Sequence, residues 1–219
     1  MKPPIYLTSP LARSGTHPLP MIEFSLVADH LDLEDCDTLM FSSKQAVISA
    51  ERIDPSWKRL PTVAIGPATE KQIRKLGGTV LYRPKEYYGA TLARDLVEKF
   101  RSRRILYLRP RQVSFDSRGY LAKAGIELQE QIIYETSCRH YAPEEAPPEG
   151  AVIVFTSPST IHCFLENFPW RPDYHAVVIG RATLEHLPDG AKFRVASEPT
   201  IDACLAAARH LAETLNDTK

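Results

Sequence analysis

Short apolar runs recur along this chain, and each breaks into Ser, Thr, Gly or Pro before a segment with helical spacing begins. Residues 5–8 predict a short buried strand stopped by Ser9-Pro10, and Gly15, Pro18 and Pro20 leave residues 11–20 without a helix. Residues 21–27 alternate, with Ile22, Phe24 and Leu26 against Glu23 and Ser25, and predict an extended strand. Runs at 38–41 and 62–65 predict strands, each followed by a helix, the second of which stops at Gly77-Gly78. A strand at 79–82 follows, then a helix opened by Thr91 with Leu92, Ala93, Leu96, Val97 and Phe100 on one face, then a strand at 104–108 ending in Arg109-Pro110. Residues 117–124 predict a helix closed by Gly125, and 126–138 a long extended stretch centred on Ile132-Ile133-Tyr134. Beyond a connector at 143–150 lie strands at 152–155 and 176–179 and a last helix opened by Thr200, with Ile201, Leu205, Ala208 and Leu211 at helical spacing. Strand alternating with helix is the pattern of an α/β fold built on parallel sheets.

The pattern is used twice. Phe41-Ser42-Ser43 precedes Ile65-Gly66-Pro67-Ala68-Thr69 by 65 − 41 = 24 residues, and Phe155-Thr156-Ser157 precedes Ile179-Gly180-Arg181-Ala182-Thr183 by 179 − 155 = 24. At the single offset of 155 − 41 = 114, Phe41, Ser43, Val63, Ile65, Gly66, Ala68 and Thr69 all meet an identical residue, which marks an internal duplication. Each copy puts a Ser at one helix N-terminus and a Thr in the first turn of another, where unpaired N–H groups and the helix dipole favour an anion. Four such helix starts facing one ligand would make an anion-binding site.

Residues 5–27 look like a shortened version of 105–138: a strand, a proline, then an extended segment leading into the next copy. Taking both extended segments as crossings divides the chain into one α/β lobe of residues 1–18 and 142–219 and a second of residues 28–128. Residues 19–27 and 129–141 then form a two-stranded linker. Clefts between such lobes are common places for small-molecule sites.

Composition narrows the function without naming it. Lys+Arg and Asp+Glu both number 27, so nothing favours nucleic acid or a membrane surface, and anion binding has to be local. There is no apolar h-region at the N-terminus and no run of transmembrane length, which points to a cytoplasmic chain. Cys36, Cys138, Cys163 and Cys204 lack C-x-x-C spacing and are expected as reduced thiols. Cys138-x-His140 and His162-Cys163 lack the ligand number and spacing of a zinc site, and there is no dinucleotide fingerprint or phosphate-binding loop.

Phe41-Ser-Ser-Lys-Gln-Ala-Val47, Ile65-Gly-Pro-Ala-Thr69, Gly125-Ile126 followed by Ile133-Tyr134-Glu-Thr136, Phe155-Thr156-Ser157-Pro158-Ser159 and Ile179-Gly-Arg-Ala-Thr183 resemble the uroporphyrinogen-III synthase family, in the family's order and over nearly the whole chain. The resemblance implies two flavodoxin-like lobes, parallel sheets flanked by helices, joined by a two-stranded β-ladder hinge. It also implies a monomeric enzyme of tetrapyrrole synthesis that needs no cofactor or metal. One departure is at the front, where Thr8-Ser9-Pro10 lacks the family's Arg and no full helix follows.

The implied substrate is hydroxymethylbilane, a linear tetrapyrrole with eight carboxylates, handed over by hydroxymethylbilane synthase in transient contact. Loss of water gives an azafulvene, the far pyrrole attacks at its substituted carbon, and a spiro intermediate reopens and recloses with the last ring inverted. A pyrrole expels the leaving group unaided, so the protein's task is to fold the chain for attack at that carbon, helped by a weak acid near the leaving hydroxyl. Tyr134 matches the family's linker tyrosine and is the candidate acid; packing for shape is its plainer role. Ser42, Ser43, Gly66, Ala68, Thr69, Ser157, Ser159, Ala182 and Thr183 are carried over as contacts to substrate carboxylates, with N-capping as the bland role of the hydroxyls. Arg109 is a candidate carboxylate partner, and a solvated arginine otherwise. The competing reading is a two-lobed, flavodoxin-like binding protein without chemistry.

Overall fold

A computed structural model describes residues 2–217, divided between two units. The first unit takes residues up to Glu23 and from Ser137 on, and the second takes Phe24–Thr136. The chain begins with β1 (Ile5–Leu7) and β2 (His17–Pro18) and crosses into the second unit along β3 (Ile22–Leu26). There follow β4 (Thr38–Phe41), α1 (Lys44–Ile53), β5 (Pro61–Ala64), α2 (Pro67–Lys75), β6 (Thr79–Tyr82), α3 (Gly89–Lys99), β7 (Ile105–Pro110) and α4 (Ser117–Lys123). The return crossing is β8 (Leu128–Cys138), and β9 (Val152–Phe155), α5 (Pro158–Asn167), β10 (His175–Val178), α6 (Arg181–Leu184), β11 (Lys192–Val195) and α7 (Ile201–Asp217) complete the first unit. None of the described helices is long and apolar enough to cross a membrane.

The first unit's sheet has the order β11-β10-β9-β1-β2, and the second's reads β6-β5-β4-β7-β8-β3. Every pair from β11 to β2 and from β6 to β8 is parallel. The edge pair β8–β3 is antiparallel, because Val27 N–H reaches the Ile133 carbonyl at 3.2 Å and Arg139 N–H the Met21 carbonyl at 2.9 Å, so that 27 + 133 = 21 + 139. The duplication is visible in the register. Phe41 stands opposite Ala64 and Phe155 opposite Val178, and 64 − 41 = 178 − 155 = 23. The next amide of the second strand then returns to that phenylalanine, Ile65 N–H to the Phe41 carbonyl at 3.0 Å and Ile179 N–H to the Phe155 carbonyl at 3.1 Å.

Parallel strands buried on both faces are apolar throughout rather than alternating, and β4 and β9 are buried at every position. Leu39 and Phe41 of β4 pack on Ala46, Val47 and Ala50 of α1 and on Trp57, whereas Met40 points to the other face, where Leu92 and Leu96 of α3 and Leu121 of α4 lie. In the first unit Ile153 and Phe155 meet Ile161 and Phe164 of α5, and Val152 and Val154 meet Cys204, Leu205 and Ala208 of α7. Helices therefore cover both faces of each sheet.

Four local features depart from the sequence expectation. The helix expected from Thr91 starts two residues earlier, at Gly89, and α6 is one turn long although its duplicate α2 runs to Lys75, because Pro188 and Gly190, with φ +76°, stop the copy early. An unforeseen 3-10 helix, Pro55–Arg59, is capped by Asp54, which accepts the Ser56 N–H at 2.8 Å, and it buries Trp57 completely. Trp57 lies on Gly78, where a Cβ would stand 2.5 Å from the ring, so the Gly-Gly stop signal also makes room for the indole.

The fourth departure is a correction. Cys138 and Cys163, expected as free thiols, form a disulfide, while Cys36 and Cys204 stay free and buried, the burial pushing the Cys204 thiol up to about 11. Sequence spacing could not show this pairing, because it depends on the end of β8 lying beside α5, where the two Cα atoms are 5.1 Å apart. Asn167 fastens the same junction, its Nδ2 donating to the carbonyls of Arg139 and Cys163 and its Oδ1 accepting the Tyr141 N–H. Closing a loop of sequence separation 25 restricts the unfolded chain. The chain-entropy relation gives about 3–4 kcal/mol for it. Thermal unfolding with and without a thiol reductant should therefore differ in midpoint, and an identical midpoint with all four thiols titrating after reduction would contradict this.

Candidate functional site

The carboxyl ends of β4 and its neighbours gather hydroxyl groups in the second unit. Ser42 and Ser43 follow β4 directly, and Ser43 is the N-cap of α1, its Oγ accepting the Ala46 N–H at 2.9 Å. From β8, Tyr134 brings its phenol oxygen within 2.9 Å of Ser43 Oγ, and its ring lies edge-on to Phe24 with only 4% of the residue exposed. From β7, the Tyr107 phenol donates to Ser42 Oγ at 2.5 Å. Two phenol–serine pairs thus stand side by side at consecutive positions of one turn.

Beside them is a cavity of about 300 Å³ whose lining includes Ser42, Ser43, Tyr107, Gln112, Ser114 and Phe115. Met40, Ile65 and Val113 add apolar wall, and no lining side chain carries a charge. A larger cavity of about 550 Å³ in the same unit is lined by Asp32, Glu34, Asp35 and Glu130. Four carboxylates there would repel a polyanion, so the smaller, neutral cavity is the better seat for an acidic ligand. Burial pushes the phenols of both Tyr134 and Tyr107 up, and the bond to serine offsets this only in part, so both remain protonated donors near neutral pH.

The other sequence candidates divide between the units. Gly66 is the extended N-cap of α2, Ala68 lies in its first turn, and Thr69 is buried there with no hydrogen bond made by its hydroxyl among the described residues. Arg109 is held by its own neighbours. Its Nη1 donates to the carbonyls of Pro110 and Arg111, at 2.9 and 3.1 Å, and its Nε is 3.2 Å from Glu130 Oε2. In the first unit Ser157 caps α5, accepting the Thr160 N–H, and its Oγ is 3.0 Å from Ser159 Oγ. Ala182 and Thr183 lie in α6, Thr183 buried in the same way as Thr69.

Sequence reasoning did not single out Tyr107 or the wall formed by residues 112–117. A signal existed for the first: Tyr107 is a polar-tipped residue inside an apolar strand, and a buried phenol needs a partner. The one described cluster able to hold a metal ion is Cys138, Cys163 and Glu166, and its two sulfurs are joined to each other.

The fold and the hydroxyl-lined cavity define an α/β protein of duplicated, mainly parallel sheets, with protonated donors at the carboxyl ends of the strands. The family model described as uroporphyrinogen-III synthase HemD matches residues 11–206, and the chain belongs to that family. It is a cyclising lyase of porphyrin synthesis, and the substrate that membership implies is hydroxymethylbilane. Among solved structures, the uroporphyrinogen-III synthetase of Helicobacter pylori is similar at TM-score 0.80 and 24% identity, over 95% of this chain and 99% of that one. A mutant uroporphyrinogen III synthase of Thermus thermophilus is similar at TM-score 0.59 and 12% identity, over 97% of this chain and 99% of that one. At these identities the likeness speaks to the fold, helices flanking mainly parallel sheets. A search of curated protein sequences finds no match.

Proposed function

We propose that Tyr134 is the weak acid of the ring closure and that the helix starts hold the substrate's carboxylates. The observation that carries this is the Tyr134–Ser43 hydrogen bond at the N-terminus of α1, on the edge of the neutral cavity. Ser43 Oγ already accepts the Ala46 N–H, and the Tyr134 phenol makes no other hydrogen bond among the described residues; in the arrangement proposed, the phenol proton goes to Ser43 and the serine's own proton is left for the cavity. The C–O bond of the hydroxymethyl group breaks with its electron pair on oxygen, which takes that proton and leaves as water. The proton released by the ring nitrogen as the azafulvene forms returns to the phenolate, and the pair is restored.

Ser42, Ser43, Gly66, Ala68, Thr69, Ser157, Ser159, Ala182 and Thr183 serve as carboxylate contacts through hydroxyl and backbone N–H groups. Arg109 acts by buttressing β7 and β8 through Glu130 as well as by its charge. The two units behave as flavodoxin-like lobes on a two-stranded ladder, and the enzyme works as a cytoplasmic monomer without a cofactor, taking the bilane from hydroxymethylbilane synthase in passing contact.

The deciding experiment supplies freshly generated hydroxymethylbilane to the purified chain and separates the oxidised type I and type III products. Type III product without added metal or cofactor is expected. Type I alone, equal to the blank, would overturn the reading.

A further inference from the structure

We propose that Tyr107 is a positioning residue for this reaction: it holds Ser42 as a hydrogen-bond donor aimed into the cavity, which receives one substituted pyrrole ring of the substrate. This rests on the cyclase activity and adds to the role given to Tyr134. A serine hydroxyl has one proton and room for two acceptor bonds. Because the Tyr107 phenol donates to Ser42 Oγ, the serine oxygen is occupied as an acceptor on that side, and its own proton is directed elsewhere. Ser42 makes no other side-chain hydrogen bond among the described residues and lines the cavity together with Tyr107. The direction left open is the cavity.

The cavity fits a part of the substrate rather than the whole. At about 300 Å³ it sits at the lower end of the ~300–1,000 Å³ of small-ligand pockets, too small for four linked rings. Its make-up matches one of them: Met40, Ile65, Val113 and Phe115 can flank an apolar ring plane, while Ser42, Ser43, Gln112, Ser114 and Ser117 offer neutral donors to its acid arms. Held by neutral donors, a carboxylate does not have to displace a protein counter-ion.

The duplication separates this device from ordinary strand packing. Tyr107 stands opposite Met40 in the β7–β4 pair, and Leu7 stands opposite Val154 in the β1–β9 pair. Since 154 − 40 = 114 is the offset of the duplication, Leu7 holds the place of Tyr107, and Thr156, at 156 − 42 = 114, holds the place of Ser42. Leucine fills that position in the first unit and is fully buried, so the fold itself does not require a phenol there. At these two equivalent positions the second unit has Tyr107 and Ser42 where the first has Leu7 and Thr156.

Steady-state kinetics of Tyr107→Phe, Ser42→Ala and the double variant on fresh hydroxymethylbilane test this, with product isomers separated in the same assay. Each single change is expected to lower kcat roughly tenfold, the scale of one net hydrogen bond, with KM within about threefold, because Ser42, unlike the helix-start threonines, is proposed to set the orientation of the ring in the cavity rather than only to add to binding. The double variant should be no slower than either single one, because the two side chains act as a unit. Full activity of Ser42→Ala, or losses that multiply in the double variant, would overturn the proposal and leave Tyr107 a packing residue. Should Tyr107→Phe fail to fold, Ser42→Ala alone decides: a tenfold fall in kcat supports the proposal and parent activity overturns it. Type III product from the parent, read first, keeps failure of the activity separate from failure of this role.

Discussion

Tyr134→Phe should lower turnover by roughly 10- to 10³-fold, the range overlapping that of general acid catalysis, while still producing the type III isomer. The change deletes the phenol bound to Ser43 at 2.9 Å and keeps the ring, whose edge contact with Phe24 helps to fill the second unit's core. Stability should therefore alter little, and the loss should appear in kcat. Thr69→Ala and Thr183→Ala, at the two duplicated helix starts, should chiefly raise the substrate concentration required, because eight carboxylates are shared among many donors. Rate measurements across substrate concentration separate the two behaviours. A Tyr134→Phe enzyme as fast as its parent, alongside a dead Thr69→Ala, would move the chemistry from the phenol to the Gly-x-Ala-Thr turns.

Phe164→Ala is the substitution expected to cost most in stability, about 3–5 kcal/mol. Phe164 is fully buried on α5 and meets four aromatic rings: Phe155 at 5.5 Å, Phe168 at 5.3 Å, Trp170 at 6.1 Å and Tyr174 at 6.2 Å. Rings locked together in this way cannot collapse into the vacated space as a lone leucine site can. The chain's two tryptophans, Trp57 and Trp170, fall one in each unit, so fluorescence reports the units separately when either is replaced. Denaturant unfolding followed through Trp170 should shift strongly. A loss below about 1 kcal/mol would mean that the cluster repacks, against its density here.

What could be read in advance was whatever is local in the chain or repeated along it. Continuous apolar runs such as 152–155 report strands buried on both faces, Ser43 and Ser157 report helix starts, and Gly77 reports a helix end by taking φ +88°. The offset of 114 residues reappears as identical strand register. What escaped was set by contacts between residues far apart in sequence. Cys138 finds Cys163 only because β8 ends beside α5, and Trp57 is buried because a 3-10 turn carries it onto Gly78 and Phe41. Tyr107 looked like one more apolar strand residue until Ser42 was placed 2.5 Å from its phenol.

The order of strands in the first sheet bears on how the protein is made. β1 lies inside that sheet, between β9 and β2, although the whole of the second unit is synthesised between β1 and β9. Its partner Val154, opposite Leu7, comes 154 − 7 = 147 residues later. At ~5–20 residues per second the wait is roughly 7–30 s, during which Ile5-Tyr6-Leu7 has no strand from the later half to pair with. The second unit, continuous from Phe24 to Thr136, is under no such delay. On a ribosome its sheet is complete before β9 exists, leaving a short apolar strand without its central partner until the late half of its own unit emerges.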